Sequence, residues 1–331
     1  MPYKARLKDG QERKRKKPAY RVMNCREYNE SLKKRGKISL YFPEGDLKAQ
    51  FITASPYVRG VSGRLPSYTP AYVELLYTFY RLFGWGMRQI TGYMEDYWAG
   101  HGLEIRVPSF GHLCDLFAAL EVKVTQRCER LARRLADGED VSIIVDSTGM
   151  SFGRASEWYE QKYGKKAAKT PWRKMHLSID ADMNVHAIAI TGTDVSDSEG
   201  MDCVLPADIR VDRVIADGAY YSIERAEALS RSGALPVIPP PSHAVVHGEE
   251  RTQWHDRIVG YIREKGIYAF HKKYGYGQRA LVEAQISRIK RCIGSSLLTR
   301  QPASQEREGV VIANLLNRWN SFGRPVSCKN G

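Results

Sequence analysis

Short β-branched runs and helical segments alternate after residue 137 in an order that few folds can accommodate. In chain order, we predict strands at 141–146, 173–180 and 185–191, a helix at 198–205, a strand at 211–216, a helix at 222–232 and a strand at 235–239. Asp182-Met183-Asn184 supplies a tight turn, so the strands on either side of it are expected to be antiparallel. The pattern predicts an α/β fold with one mixed sheet and flanking helices.

Two aspartates stand where predicted strands end. Asp146 closes the run VSIIVD and is followed by Ser-Thr-Gly, while Asp217 closes VDRVIAD and is followed by Gly-Ala-Tyr-Tyr. Strand tips are where α/β folds place their chemistry. With a helix around Glu283 added, the order β-β-β-α-β-α-β-α is that of an RNase H-like fold.

A third acid lies in the segment YGQRALVEAQISRIK. Its chemistry-bearing residues follow the spacing Y-x2-R-x3-E-x6-K and are Tyr276, Arg279, Glu283 and Lys290. On a helix, the charged three share one face, and Leu281, Val282, Ile286 and Ile289 supply an apolar stripe for burial. Taken alone, the segment is typical of a solvated amphipathic helix with an ion pair. The upstream aspartates favour the other interpretation, an acid framed by two bases in a site.

Asp146, Asp217 and Glu283 form the candidate catalytic and metal-binding set. Mg²⁺ or Mn²⁺ prefers such oxygen ligands, and two ions about 3.5–4 Å apart can activate an attacking oxygen and stabilise a leaving oxygen of a phosphodiester. Asp146 would bridge the ions. Arg279 and Lys290 would hold the flanking phosphates, with Tyr276 stacking or hydrogen-bonding beside them. We assign the other acids of this region to turns and exposed loops: Asp180, Asp182, Asp194 and Asp197.

The net charge of +14 indicates a polyanionic partner. Residues 1–37 hold fourteen Lys or Arg and four Asp or Glu, so most of the excess positive charge lies in this basic arm. Its densest run contains Lys14, Arg15, Lys16 and Lys17. The arm is either a disordered solubilising tail or a DNA-contacting segment.

Residues 38–137 read as mainly helical. ISLYF at 38–42 predicts a short strand, and helical patterns follow at 69–86, 88–102, 109–122 and 123–138, with Ser109 as an N-cap. A helix-turn-helix DNA reader and a packed helical bundle are both compatible with this spacing. We assign the aromatic residues of the first helix and the turn after it to packing: Tyr72, Tyr77, Tyr80, Phe83 and Trp85.

Together these motifs resemble the DDE transposases of bacterial insertion sequences and, within them, the insertion-sequence-five family. The resemblance rests on VDSTGM around Asp146, VIADGAYYS around Asp217 and the Tyr-Arg-Glu-Lys signature. It also includes KTPWRKMHLSID at 169–180, which is similar to the Trp-x-Lys-x-His strand of that family. It covers nearly the whole chain.

The resemblance implies a helical DNA end-recognition domain at 38–137, an RNase H-like DDE catalytic domain at 138–322 and a tail at 323–331. It implies that Asp146, Asp217 and Glu283 use two Mg²⁺ ions to cleave DNA and transfer strands. Double-stranded DNA, as element ends and as target, is the implied partner, and joining two ends favours a homodimer.

Within the resemblance, a few residues have two interpretations. Trp172 either packs beneath the active-site strand or stacks on a flipped end base. His176 is interpreted as structural, with a metal ligand as the alternative. Relatives often have a polar helix before the first catalytic strand, whereas SFGHLCDLFAALEV is apolar. The basic arm and Arg88-Gln89 are therefore the alternative DNA contacts.

The residues alone are also compatible with other functions. They are another RNase H-like metallonuclease such as a resolvase, a domesticated DNA-binding protein derived from a transposase, and a basic protein whose acids are merely structural. Six scattered cysteines without a C-x-x-C pair predict reduced thiols, and no apolar run approaches the roughly 20 residues that span a bilayer. We therefore expect a cytoplasmic protein at the bacterial nucleoid.

Overall fold

The computed structural model describes Gly10, Lys162 and residues 19–52, 68–153 and 171–329. The predicted DNA contacts Lys14, Arg15, Lys16 and Lys17 lie outside the described residues. The later part of the basic arm is folded, since strand β1 (Tyr20–Val22) leads into helix α1 (Cys25–Arg35). Strand β1 pairs antiparallel with Ser327–Lys329 near the other end of the chain. The arm and the tail therefore meet in space.

Residues 38–137 are mainly helical, as the sequence predicts. The helices are α2 (Leu47–Phe51), α3 (Pro70–Phe83), α4 (Met87–Gly100), α5 (Phe110–Ala119) and α6 (Glu129–Ala136). Helix α3 begins where the Thr69 hydroxyl accepts from the Tyr72 N–H, and it ends at Gly84 in the left-handed region. The Ser109 hydroxyl accepts from the His112 N–H, which confirms the predicted N-cap of α5.

An aromatic core holds these helices together. Tyr72 and Tyr77 are fully buried, and the Tyr77 ring stacks on Phe117 with the ring centroids 4.0 Å apart. Burying one such ring stabilises the fold by about 1.5–3 kcal/mol. The packing assignment is therefore confirmed for Tyr72, Tyr77, Tyr80 and Phe83. Trp85, in the turn after α3, is 40% exposed but its ring contacts Phe83.

The predicted strand at 38–42 is wrong, because Ile38–Tyr41 form a turn of 3-10 helix. Tyr41 is buried there, its hydroxyl donates to the Arg35 carbonyl and accepts from the Trp319 indole, and its ring contacts Phe79. A short apolar run is compatible with a buried helical turn as well as with a strand. Contacts with distant parts of the chain decide between the two.

One six-stranded mixed sheet fills the second half of the protein. Its strands are β2 (Val141–Phe152), β3 (Trp172–Ile179), β4 (Val185–Thr191), β5 (Val211–Ile215), β6 (Leu235–Val237) and β7 (Ser296–Leu297), and β8 (Ser327–Lys329) pairs only with β1 among the described strands. The order is β4-β3-β2-β5-β6, with β7 beside the end of β2. Strands β2, β3 and β4 are antiparallel neighbours, whereas β5 and β6 run parallel to β2. This arrangement fits the predicted RNase H-like core.

Strand β2 continues past Asp146 to Phe152, so the prediction that Asp146 ends its strand is wrong. Ser-Thr-Gly is typical of a turn, but pairing with β3 extends the strand as far as Ser151 opposite Trp172. On its other edge, β2 pairs with β5 only up to Ile144. Asp146 therefore lies in the interior of a long strand, at the point where the parallel neighbour has ended.

Helices cover both faces of the sheet. They are α7 (Asp197–Asp202), α8 (Ile223–Arg231), α9 (Gln253–Lys265), α10 (Ile267–Tyr274), α11 (Ala280–Cys292) and α12 (Pro302–Phe322). In α12, Ile312 and Leu316 pack into the sheet core, while Val311 and Leu315 pack into the aromatic core. The helical region and the sheet thus share one helix. No helix in the described segments is long and apolar enough to cross a membrane.

Candidate active site

Three elements bring the predicted acids together at one edge of the sheet. Asp146 projects from β2, Asp217 lies two residues after the end of β5, and Glu283 lies in the first turn of α11. Asp217 also caps a 3-10 helix at Gly218–Tyr220, because its carboxylate accepts from the Ala219 N–H. The side chain of Asp146 is 14% exposed, that of Asp217 35% and that of Glu283 54%. Side-chain exposure therefore increases across the cluster, from the mostly buried Asp146 to the exposed Glu283.

Arg279 lies among the three carboxylates. Its Nη1 is 2.6 Å from Glu283 Oε1, and its Nη2 is 3.5 Å from Asp146 Oδ2 and 3.4 Å from Asp217 Oδ2. The predicted pairing of Arg279 with Glu283 is present, although Arg279 immediately precedes α11 in a 3-10 turn (Tyr276–Arg279). One guanidinium thus contacts all three acids.

The charges in this cluster do not cancel. Three carboxylates and one guanidinium leave a formal charge of −2 when all are ionised. Burial raises the pKa of Asp146, and the neighbouring Asp217 and Glu283 charges add to that rise, against the opposing effects of the Ser147 N–H and Arg279. Burial alone would lower the pKa of Arg279, but the surrounding acids raise it. The three carboxylates therefore carry more negative charge than Arg279 neutralises.

Tyr276 joins the cluster to helix α10. Its half-buried ring stacks on His271 with centroids 4.4 Å apart, and burial raises the pKa of its hydroxyl. Sequence patterns gave no indication of His271, because a lone histidine five residues before the motif carries no spacing signal. Lys290 lies in the last turn of α11, two helical turns beyond Glu283, and has no ion pair within the described residues.

A polar network on the opposite face of β2 supports Asp146. The next residue, Ser147, donates from its hydroxyl to Asp197 Oδ1 at 3.0 Å. Lys174 on β3 donates to the Val195 carbonyl and lies 3.5 Å from the same Asp197 oxygen. The assignment of Asp197 to an exposed loop is wrong, because it opens helix α7 and is half-buried against β2. Strand alternation in 141–152, read together with the β3 register, would have indicated this face.

Asp180 is the second of these acids whose environment differs from the prediction, since it is only 2% exposed. Its carboxylate accepts from the Asp182 and Asn184 N–H groups and from the Asn184 amide, so it closes the β3–β4 turn from inside. The prediction of a turn there is confirmed, and that of exposure is wrong because these donors replace water.

Trp172 and His176 lie on the same face of the sheet as Ser147. The Trp172 ring lies over Gly149, where a Cβ would be 3.4 Å from the ring, and the side chain is 45% exposed. His176 is buried, bonds Thr191 through Nε2 at 2.9 Å, and packs so closely on Gly200 that a Cβ there would clash. Burial lowers the pKa of His176, which agrees with a structural role. DNA contact by Trp172 stays a prediction.

In the helical region, Arg88 is exposed on α4, and its guanidinium lies 3.8 Å from the centroid of the Phe110 ring on α5. The neighbouring Gln89 accepts from the Gly86 N–H and so caps α4. Arg88 therefore remains available at the surface, whereas the Gln89 side chain has a local structural role.

Metal ligation can be tested against the donor set. No three His, Cys, Asp or Glu side chains among the described residues are grouped at the spacing of a metal centre, and Arg279 contacts all three of the candidate acids. The donors nevertheless fit a hard divalent cation: all three are carboxylates, their net charge with Arg279 is −2, and Asp217 and Glu283 are open to solvent. The donor chemistry of the cluster therefore suits a divalent cation.

Comparison with known families identifies the family of this chain. Two family profiles, each described as a transposase DDE domain, match the chain over residues 137–318 and residues 33–154. The first covers more than half of the 331 residues and includes Asp146, Asp217 and Glu283. The chain belongs to the DDE transposases of insertion sequences.

Proposed function

We propose that this transposase binds the terminal inverted repeats of its insertion sequence and catalyses metal-dependent cleavage and strand transfer of DNA. The observation that carries the proposal is the convergence of Asp146, Asp217 and Glu283 around one arginine at the open edge of β2. An excess of negative charge at a partly exposed site suits chemistry that uses cations and phosphates.

In this proposal Asp146, Asp217 and Glu283 would hold two Mg²⁺ or Mn²⁺ ions. When bound, the ions supply activation of the attacking oxygen and stabilisation of the leaving oxygen. Arg279 would then be released from the carboxylates and would bind a phosphate beside the scissile bond, with Lys290 binding another further along α11. Tyr276 would fix the position of the strand next to Arg279.

The reaction has two phosphoryl transfers. First, water attacks the phosphodiester at the element end; a P–O bond forms, the bond to the 3′-oxygen breaks, and that oxygen leaves as a 3′-hydroxyl. Second, the 3′-hydroxyl loses its proton and attacks a target phosphodiester, whose own 3′-oxygen leaves. One site performs both steps because each is the same in-line displacement at phosphorus.

End recognition is proposed for residues 38–137 together with the basic arm, including Arg88, Lys14, Arg15, Lys16 and Lys17. Its support is the net charge of +14 and the exposure of Arg88 on α4. Trp172 is proposed as a further DNA contact because nearly half of its side chain is exposed beside β2. Two copies acting on two ends would form a homodimer, and the site of action would be nucleoid DNA in the bacterial cytoplasm.

The central test is Mg²⁺-dependent nicking of duplexes that carry the element's own terminal repeats. We expect Asp217→Asn to lower cleavage by about a thousandfold or more, because a neutral amide replaces a metal-ligating charge. Glu264→Gln, on an exposed residue of α9, is the matched control and should retain wild-type cleavage. Equal activity of Asp217→Asn and wild type would exclude the metal assignment, and end binding without nicking in the wild type would favour a domesticated DNA-binding protein.

A further inference from the structure

Helix α10 presents an aromatic side chain to solvent close to the catalytic cluster. Tyr268 is 81% exposed, the highest value among the large hydrophobic side chains described as exposed. Packing on its own helix does not require this ring, since Phe270 and Tyr274 supply the buried face of α10. An exposed aromatic ring beside an active site can bind the flat face of a ligand.

Three rings connect the exposed position to the active site. The Tyr268 and His271 ring centroids are 6.2 Å apart in an edge-to-face arrangement, and His271 stacks on Tyr276 at 4.4 Å with an interplanar angle of 18°. Tyr276 lies three residues before Arg279, which contacts all three acids. We call Tyr268, His271 and Tyr276 the aromatic track.

The chain segment that carries the aromatic track is basic. No acidic residue occurs in sequence between Glu264 and Glu283, whereas this interval holds Lys265, Lys272, Lys273 and Arg279. Lys272 is exposed, stands four residues after Tyr268 on the same helical face, and has no ion pair within the described segments. An exposed aromatic ring next to an exposed lysine is a combination that binds single-stranded nucleic acid, with a base on the ring and a phosphate on the ammonium group.

We infer that the aromatic track binds the unpaired nucleotides of a DNA strand next to the scissile phosphate, with bases stacked on Tyr268 and the backbone held by Lys272. This inference rests on the proposed function, since it names where the strand runs once it leaves the catalytic cluster. Cleavage by water breaks one strand at the element end, so the nucleotides beside the nick are no longer held by a continuous backbone and can leave the duplex. Stacking is tolerant of sequence because every base has an aromatic face, which suits flanking DNA that differs at each insertion.

The test uses full-length protein carrying Asp217→Asn, so that the probes stay intact. Two probes are compared: a blunt duplex, and the same duplex with a short single-stranded thymidine extension containing one 2-aminopurine. We expect tighter binding of the extended probe and quenching of the 2-aminopurine fluorescence. Tyr268→Ala should lower the preference for the extension about tenfold and abolish the quenching, and Tyr268→Phe should retain both because the ring is kept.

Several outcomes would overturn the inference. One is equal preference and quenching in the Tyr268→Ala and wild-type backgrounds. Another is a change of oligomeric state in Tyr268→Ala, measured by light scattering, which would assign the exposed ring to contact with a second copy. Because Tyr268 is mostly exposed, loss of folding does not complicate its substitution. If the proposed function itself is wrong, the enzyme with Asp217 intact will not nick the terminal-repeat duplex, and this result is independent of the Tyr268 measurements.

Discussion

Arg81 and Arg279 both contact carboxylates, but their surroundings differ in nearly every respect. Arg81 on α3 pairs with Glu308 on α12 at 3.2 Å, and both side chains are almost completely buried. Arg279 contacts three acids at a site that opens to solvent. The first pair is formally neutral, whereas the second group keeps a charge of −2.

The hydrogen bonds around each site reinforce the difference. The Glu308 carboxylate accepts from the Leu298 and Thr299 N–H groups and from the Thr299 hydroxyl at 2.6–2.9 Å, so its oxygens need no further partner. In the active site, the Asp146 and Asp217 carboxylates accept one local N–H each, and Arg279 is shared among three acids. A buried neutral pair joins two parts of a fold, whereas a partly exposed acid cluster with excess negative charge is a candidate ligand site.

The largest expected effect follows from breaking the buried pair. Glu308→Ala leaves the Arg81 guanidinium buried without a counter-charge, and we expect it to lower the free energy of unfolding by about 3–5 kcal/mol, measured by urea denaturation. Glu308→Gln keeps an acceptor for the neighbouring N–H groups and should cost less. A loss below about 1 kcal/mol for Glu308→Ala would show that Arg81 reaches water, and the contrast between the two arginines would disappear.

Substitution of the second arginine, Arg279, is expected to change stability less and to affect function as well. Arg279→Gln should change the free energy of unfolding by no more than about 1 kcal/mol, because the cluster is partly exposed. It should strengthen Mg²⁺ binding to the DNA-free protein, since the competing positive charge is removed. It should also slow DNA cleavage about a hundredfold, since a phosphate contact is lost.

Titration calorimetry with Mg²⁺ alone measures the first part of this expectation, and a nicking assay measures the second. Arg291→Gln removes an equal charge from the exposed side of the same helix and serves as the control. Unchanged Mg²⁺ affinity in Arg279→Gln would mean that Arg279 does not occupy the position of a cation.

The sequence predicted which charged residues meet at the open site better than it predicted the residues around them. Asp146, Asp217, Glu283 and Arg279 were recognisable because their residue types and spacing are visible in the sequence itself. Ser147 and Lys174 on the far face of β2 were not, because a serine and a lysine acquire a role only through the register of β2 with β3. The buried Arg81 was missed for the same reason, since its partner lies 227 positions away on α12.

The secondary structure shows the same contrast between elements set by local sequence and elements set by long-range contacts. Strand β4 and the α5 cap follow from local patterns, and the structure confirms them. The predicted end of β2 at Asp146 failed because pairing with β3 overrides the turn propensity of Ser-Thr-Gly. The strand predicted at 38–42 failed because Tyr41 packs against residues far along the chain. Long-range pairing is therefore what the sequence pattern could not supply.

The smallest expected effect concerns pH and again separates the two sites. The pKa of Asp146 is raised above its ordinary value of 3.8, so the folded protein binds this proton more tightly than the unfolded chain does. Wild type therefore loses stability as the pH rises through the folded pKa of Asp146, and Asp146→Asn does not. Without metal at neutral pH, the variant should be more stable by up to about 1 kcal/mol.

Denaturation curves in EDTA from neutral pH down to about pH 4 measure this difference. The advantage of Asp146→Asn should shrink as the pH falls through the raised pKa toward 3.8, because wild type then gains its proton. Adding Mg²⁺ at neutral pH should stabilise wild type and leave the variant nearly unchanged, since the metal supplies the charge that Arg279 alone does not. A variant less stable than wild type in EDTA would show that Arg279 already neutralises the cluster, as Arg81 neutralises Glu308.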